Sequence, residues 1–253
     1  MKRMYKKIVM LALLLGMGFS LVAVAQSSNL AAAKKLLAGL QQTYHTNNLL
    51  SFDVQYTYTN ESRPDSVLDS LSGRLTLLGD NYRYAIDRMV TVKNDRYTIL
   101  LFEADKLMYL SRPQTTASAD PVRMLDSLLK STPGMQVSIG EQKQVKKLQL
   151  RMPAGLQYKT VEMAIDKQSG YLTGITYLVK TDALVNPAER HGNAEAEGYE
   201  AYARVTARFS HYQTAAADSA LFNEAAFFTR NGKTFTPVDQ YKDYKIFLGS
   251  PNL

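Results

Sequence analysis

The stretch Arg96–Pro113, RYTILLFEADKLMYLSRP, decides how the chain is read. It has the outline of a strand, a turn and a second strand. Ile99, Leu100, Leu101 and Phe102 are apolar in succession. Successive side chains of a strand point to opposite faces, so a strand with one wet face alternates. This one is apolar on both. Either it lies inside a two-sided core, or one of its faces lines a cavity that holds a ligand.

The neighbouring segments alternate as half-buried strands do. In SFDVQYTYTN, Phe52, Val54, Tyr56 and Tyr58 share a face, with Ser51, Asp53, Gln55 and Thr57 opposite. Leu75 and Leu77, then Tyr82, Tyr84 and Ile86, follow on either side of the turn residues Gly79–Asn81. Further on, Leu148, Leu150 and Met152 alternate, as do Val161, Met163 and Ile165, then Ile175, Tyr177 and Val179, then Ala203, Val205, Ala207 and Phe209. The tail TPVDQYKDYKIF suggests one last short strand. About ten strands joined by short turns are expected, antiparallel and in one long meander.

Two segments have helical period. Leu30, Ala33, Leu37, Leu40 and Tyr44 form one apolar stripe, with Ser28 or Asn29 as cap. ADPVRMLDSLLKSTPG, from Asp120 and Pro121 to Pro133-Gly134, forms a second through Val122, Leu125, Leu128 and Leu129. The expected fold is mainly β, of the α+β class. It is a curled antiparallel sheet, its concave apolar face covered by the two helices. Residues 183–200 are polar and aperiodic, and are expected to form a long mobile loop or hairpin tip.

The N-terminus indicates an exported protein. Lys2, Arg3, Lys6 and Lys7 precede an apolar run from Ile8, which ends in Ala23-Val24-Ala25. This is the pattern of a signal peptide over residues 1–25, cut after Ala25. An uncleaved anchor is the alternative, since the run approaches the ~17 residues that can span a bilayer. Without a Cys at the cut, the chain is not expected to be acylated. Residues 26–253 then form a single domain.

The net charge of +7 includes four positive charges in residues 1–25, which carry no acid, so the remainder carries +3. That scattered excess does not call for nucleic acid. With no Cys and only His45, His191 and His211, disulfides and thiolate zinc sites are excluded. No nucleophile-elbow, zincin, P-loop or dinucleotide motif is present. Asp53, Asp80, Asp87, Glu103 and Asp105 fall on wet faces or turns, as surface charges do. The chain is read as a non-enzyme with no cofactor and no metal. Its sixteen tyrosines are largely strand residues, whose buried hydroxyls need partners.

The order of elements resembles the LolA-type outer-membrane lipoprotein carriers and their superfamily, which includes sensors of envelope stress. The resemblance rests on the signal peptide, the first helix, SFDVQYTYT, SGRLTLL with Gly73, the pair YTILLFEADKLMYLSRP, the inserted helix and ALFNEAAFFTRNGKTFTP with Phe222, Phe227 and Pro237. It implies an incomplete barrel closed by helices around an acyl-chain cavity. Two family features are absent. Leu78-Gly79-Asp80 stands where the carriers have Arg-Pro, and there is no Trp.

The resemblance implies a periplasmic protein that binds acyl chains of lipids or lipoproteins as a carrier or chaperone to the outer membrane. The alternative is a non-transporting envelope sensor or scaffold of the same fold with a filled core. The candidate cavity-lining residues are Phe52, Val54, Tyr56, Tyr58, Leu75, Leu77, Tyr82, Tyr84, Ile86, Ile99, Leu101, Leu148 and Leu150. Expected partners are a lipid or acylated lipoprotein and membrane-bound envelope proteins, with no nucleic acid. A monomer is expected.

Overall fold

The computed structural model describes residues 29–45, 48–113, 127, 131–184, 198–250 and 253. Residues 29–44 form helix α1, and Ala33, Leu37 and Leu40 are its buried stripe. Its ends are tied to the sheet. Asn29 donates through Nδ2 to the carbonyl of Val137 at 3.1 Å. The Tyr44 and Tyr212 hydroxyls are 2.6 Å apart. Leu172 closes this contact, its N–H donating to Tyr44 Oη at 3.1 Å and its carbonyl accepting from Tyr212 at 2.8 Å. Of the second expected helix only Ser127 and residues 131–134 lie within the described residues, and of these Ser127 and Ser131 are helical. Most of the expected 183–200 loop also lies outside them.

The strands are β1 Leu49–Asn60, β2 Val67–Leu78, β3 Asn81–Ile86, β4 Met89–Lys93, β5 Thr98–Phe102 and β6 Leu107–Ser111. Then come β7 Gln136–Gln142, β8 Val145–Arg151, β9 Tyr158–Asp166, β10 Leu172–Lys180 and β11 Tyr202–Ala215. The C-terminal tail adds β12 Phe228–Asn231, β13 Thr234–Pro237 and β14 Lys245–Leu248. These exceed the expected ten because β4 and the tail strands have only four or five residues, too few to carry a period, and β7 has only Val137 and Ile139 as large apolar residues.

Twelve strands form one curled sheet in the order β14-β6-β5-β4-β3-β2-β1-β11-β10-β9-β8-β7. It is not a closed barrel, since β14 and β7 are its two edges. The single meander expected from the sequence is instead two meanders. One runs outward from β1 to β6; the other starts at the far edge with β7 and returns through β11 to lie beside β1. The reason is ladder length: β1 and β11 have 12 and 14 residues and zip together along nearly all of β1. The β12–β13 hairpin is a separate two-stranded sheet. It carries the chain across so that β14 can add to β6 in parallel, an arrangement a tight turn cannot make.

Two local features bend the sheet. Between Ser51 and Asp53 the β1–β11 register slips, and His211 adopts φ 53°. This bulge stacks Tyr212 on Phe52 at 4.8 Å and on Tyr171 at 4.3 Å. At Gly73, a Cβ would lie 2.3 Å from the carbonyl oxygen of Ala85. Only glycine allows β2 and β3 to approach so closely there.

The core is divided between the two faces. Paired residues on adjacent strands share a face, so the register assigns each cluster. Under α1, Val137, Leu148, Leu150, Val161, Met163, Ile165 and Ile175 pack against Ala33, Leu37 and Leu40. This is the helix face. On β4–β6 the buried residues are Val90, Val92, Ile99, Leu101, Met108 and Leu110, which point the other way. They pack against Phe222, Phe227 and Phe228 of the C-terminal tail, so this is the tail face. Among the described residues, α1 seals one half of the expected helix-covered face, and in the other half the tail seals the opposite face.

Candidate functional site

The register answers the question posed by Ile99–Phe102. Ile99 and Leu101 point to the tail face, with 0% and 1% of their surface exposed. Leu100 and Phe102 point to the helix face and are half-buried. The strand is apolar on both sides because one side is core and the other contributes to a partly open apolar surface.

That surface is built in cross-strand rows on the helix face of β1–β6. One row runs Phe52, Leu75, Tyr84, Thr91, Leu100, Tyr109 and, on β14, Phe247. The next runs Val54, Gly73, Ile86, Met89, Phe102 and Leu107. Exposure rises towards the edge, to 41% at Tyr109 and 49% at Phe247. A third row, nearer the β2–β3 turn, runs Leu50, Leu77, Tyr82, Lys93, Thr98 and Ser111. It begins apolar and becomes polar.

The structure brings together Phe52, Val54, Tyr56, Tyr58, Leu75, Leu77, Tyr82, Tyr84 and Ile86 on one face. Phe52, Val54 and Ile86 are buried; the others are partly exposed. Leu148 and Leu150 lie on the same face but are sealed beneath α1 in the other half. Ile99 and Leu101 do not join the group, because they point through to the tail face.

Tyr56, Tyr58, Tyr84 and Tyr177 bring their phenols near one another, and Tyr158 meets Tyr177 edge-on with ring centres 5.8 Å apart. Burial pushes the Tyr84 hydroxyl well above its ordinary pKa, and the Tyr56 phenol adds to the effect. Tyr177 is raised mainly by burial, then by Tyr58 and Tyr56. The Tyr84 hydroxyl is shielded from water and makes no well-formed hydrogen bond among the described residues. The cluster is therefore a neutral set of hydroxyls within an apolar surface.

Two cavities border these elements. One of about 260 Å³ is lined by Leu71, Ile86, Met89 and Phe102, with Asp87, Arg88, Ala104 and Asp105 at its mouth. It continues the apolar rows at the end opposite Lys93. A larger groove of about 610 Å³ runs beside α1. Leu36, Leu40, Ile139 and Ile165 form its apolar wall, and Lys35, Glu141, Lys146 and Lys167 its rim.

Sequence reading missed Leu71, Met89, Leu100, Phe102, Leu107 and Lys93. Leu100 and Phe102 were legible as the second and fourth members of the apolar run. Lys93 was legible as the third of Met89, Thr91 and Lys93, which share a face in MVTVK. Phe247 was not legible, because the position of β14 depends on the whole tail.

The Ser210 hydroxyl lies 3.3 Å from His211 Nδ1, the same ring nitrogen that faces Asp53, so serine and carboxylate do not sit on opposite nitrogens of the imidazole as a proton relay requires. His211 Nδ1 lies 3.0 Å from Asp53 Oδ2, and Asp53 also accepts from Arg74 at 2.7 Å. Asp53 points away from the helix face, and His211 is exposed. His45 ends α1, and His191 lies outside the described residues. Among the described residues, no three His, Asp or Glu side chains form a cluster able to hold a metal ion.

No protein-family profile matches the sequence, and no curated protein does. Solved structures similar to this chain include an uncharacterized conserved protein from Thermus thermophilus. It is 11% identical, covering 86% of this chain and 99% of its own, with a TM-score of 0.47. A LolA superfamily protein from Nitrosomonas europaea is 10% identical, covering 76% and 98%, with a TM-score of 0.36. LprF from Mycobacterium bovis is 10% identical, covering 74% and 97%, with a TM-score of 0.33.

Proposed function

We propose that this chain is a non-catalytic cell-envelope protein that binds acyl chains of lipids or acylated lipoproteins on the helix face of β1–β6. A carrier or chaperone that delivers them towards the outer membrane is the role this reading favours. The observation that carries it is the run of half-buried apolar and tyrosine side chains from Leu75 and Tyr84 to Leu100, Tyr109 and Phe247. Exposed apolar surface of this continuity on a folded domain marks a binding site. Each methylene of a chain laid there gains about 0.8 kcal/mol. The N-terminal charge-apolar-small pattern supports export, with cleavage after Ala25 and a periplasmic location.

A second reading has its own observation. Leu148 and Leu150 are filled against α1, and Ile99 and Leu101 against the tail. A sensor or scaffold would use the same fold with no cargo. Native mass spectrometry of the full-length product purified without detergent separates the two. Bound mass that extracts as lipid, or digests to an acylated peptide, is the expected result. A clean apo mass, with no uptake of an added fatty acid, would leave the filled scaffold.

A further inference from the structure

Lys93 is out of place. It is the last residue of β4 and shares the helix face with Tyr82 and Thr98, its partners on either side. Only 9% of its surface is exposed. Its ammonium donates one hydrogen bond, 2.8 Å to the backbone carbonyl of Asp80 in the β2–β3 turn. Among the described residues, Lys93 takes part in no ion pair. An ammonium has three donors, and burying one without a counter-charge is unfavourable. A residue kept this way against stability is a candidate for binding.

Its surroundings suit one kind of ligand. Tyr82, Thr98 and Ser111 place neutral hydroxyl-bearing side chains in the same row. The two rows beyond are mostly apolar, with Thr91 and the hydroxyls of Tyr84 and Tyr109 among them, and end at the 260 Å³ cavity lined in part by Ile86, Met89 and Phe102. Lys93 and Met89 are four positions apart on β4, ~13 Å, with Thr91 between them on the same face. A cation with hydroxyl neighbours at one end and a strip ending in an apolar cavity at the other is the complement of an anionic amphiphile.

We propose that Lys93 anchors the carboxylate of a long-chain fatty acid whose alkyl chain lies along β3–β5 towards the Ile86–Met89–Phe102 cavity. This rests on the acyl-binding reading and adds to it the class of head group. A carboxylate matches the single charge available. A phosphate monoester, with ~1.5 to 2 negative charges, calls for more than one cation.

The test is equilibrium dialysis of the full chain against radiolabelled palmitate, hexadecan-1-ol and hexadecyl phosphate, with Lys93→Met and Lys93→Arg beside the parent. Lys93→Met is expected to weaken palmitate by about tenfold or more, the worth of a charged hydrogen bond. Hexadecan-1-ol binding should be unchanged, and Lys93→Arg should keep the preference for the acid. The ligand-free melting temperature of Lys93→Met should stay level or rise, since a buried charge without a counter-charge is gone. A fall in that melting temperature with palmitate affinity intact would make Lys93 a turn support and overturn the proposal. Equal loss of acid and alcohol would overturn it too, and tighter binding of hexadecyl phosphate than palmitate would overturn the carboxylate assignment. If the parent chain bound none of the three, the acyl-binding reading itself would fall.

Discussion

The β7–β11 half and the β3–β6 half of the sheet solve the same problem from opposite sides. In the first, the helix face is closed by α1, and Leu148, Leu150, Val161 and Met163 are fully buried beneath it. In the second, the tail face is closed, with Phe222, Phe227 and Phe228 on Ile99, Leu101, Met108 and Leu110. A strand needs one sealed face to be stable, at roughly 1.5–3 kcal/mol for each buried large aliphatic side chain. Once the tail has sealed β4–β6 from one side, their other face is free to remain half-open. That surplus surface is where a ligand can be taken up without dismantling the fold.

If the two cores are separate, damage to them should add. Phe222→Ala is expected to cost about 3–5 kcal/mol, and Leu40→Ala, under α1, about 2–5 kcal/mol. Urea unfolding of the double variant should equal the sum within about 0.5 kcal/mol, as for sites without shared partners. A large coupling would mean one continuous core, and the comparison would lose its basis.

The sharpest contrast is between neighbours. Leu101→Ala should cost about 2–5 kcal/mol, because it empties a filled position against the tail. Leu100→Ala, on the half-open face, should cost less than about 1.5 kcal/mol, the value of a partial burial. For an acyl ligand the order should invert: Leu100→Asp weakens binding while the protein stays folded, whereas Leu101→Asp unfolds it. Denaturation and dialysis on the four variants decide this. Similar stability losses at the two positions would show that Leu100 is also core.

Alternation made most strands legible, and it placed Phe52, Leu75, Tyr84 and Ile86 on a common face. It could not say whether two apolar positions in one strand, such as Leu100 and Leu101, face ligand or core. That depends on which distant segment covers each side. The helical stripe of α1 was readable from Ala33, Leu37 and Leu40, but its target strands were not. The pairing of β1 with β11 and the return of the tail as β14 are contacts across more than a hundred residues. Local period carries no record of them.

Gly73 tests how tightly the open half is bent. Gly73→Ala would press a Cβ on the Ala85 carbonyl, a backbone group that cannot swing aside. About 1–3 kcal/mol of destabilisation is expected. Gly140→Ala, with open space around it on β7, should show far less in the same unfolding assay.

The smallest effect concerns charge on the helix-covered half. Glu141, on β7, lies 2.5 Å from Lys167 and 3.6 Å from Lys146. The Lys167 hydrogen bond, foremost, holds its carboxyl below the ordinary value of 4.5. A carboxylate depressed in the folded state adds stability above that ordinary value and loses it as the pH falls through the lower, folded one. Glu141 is exposed, so the contribution is small and screened by salt. Glu141→Gln should therefore flatten slightly the decline of stability on acidification, and only at low ionic strength. Asp166, beside it, is lowered instead by the Ser169 backbone N–H and hydroxyl, so its share of the acid response should persist in salt. Unfolding midpoints at two salt concentrations, from neutral pH to well below 4.5, separate the two carboxylates. A salt-independent loss at Glu141 would mean that its contact with Lys167 is more enclosed than its exposure indicates, and that the α1 half is closed at its rim as well as at its centre.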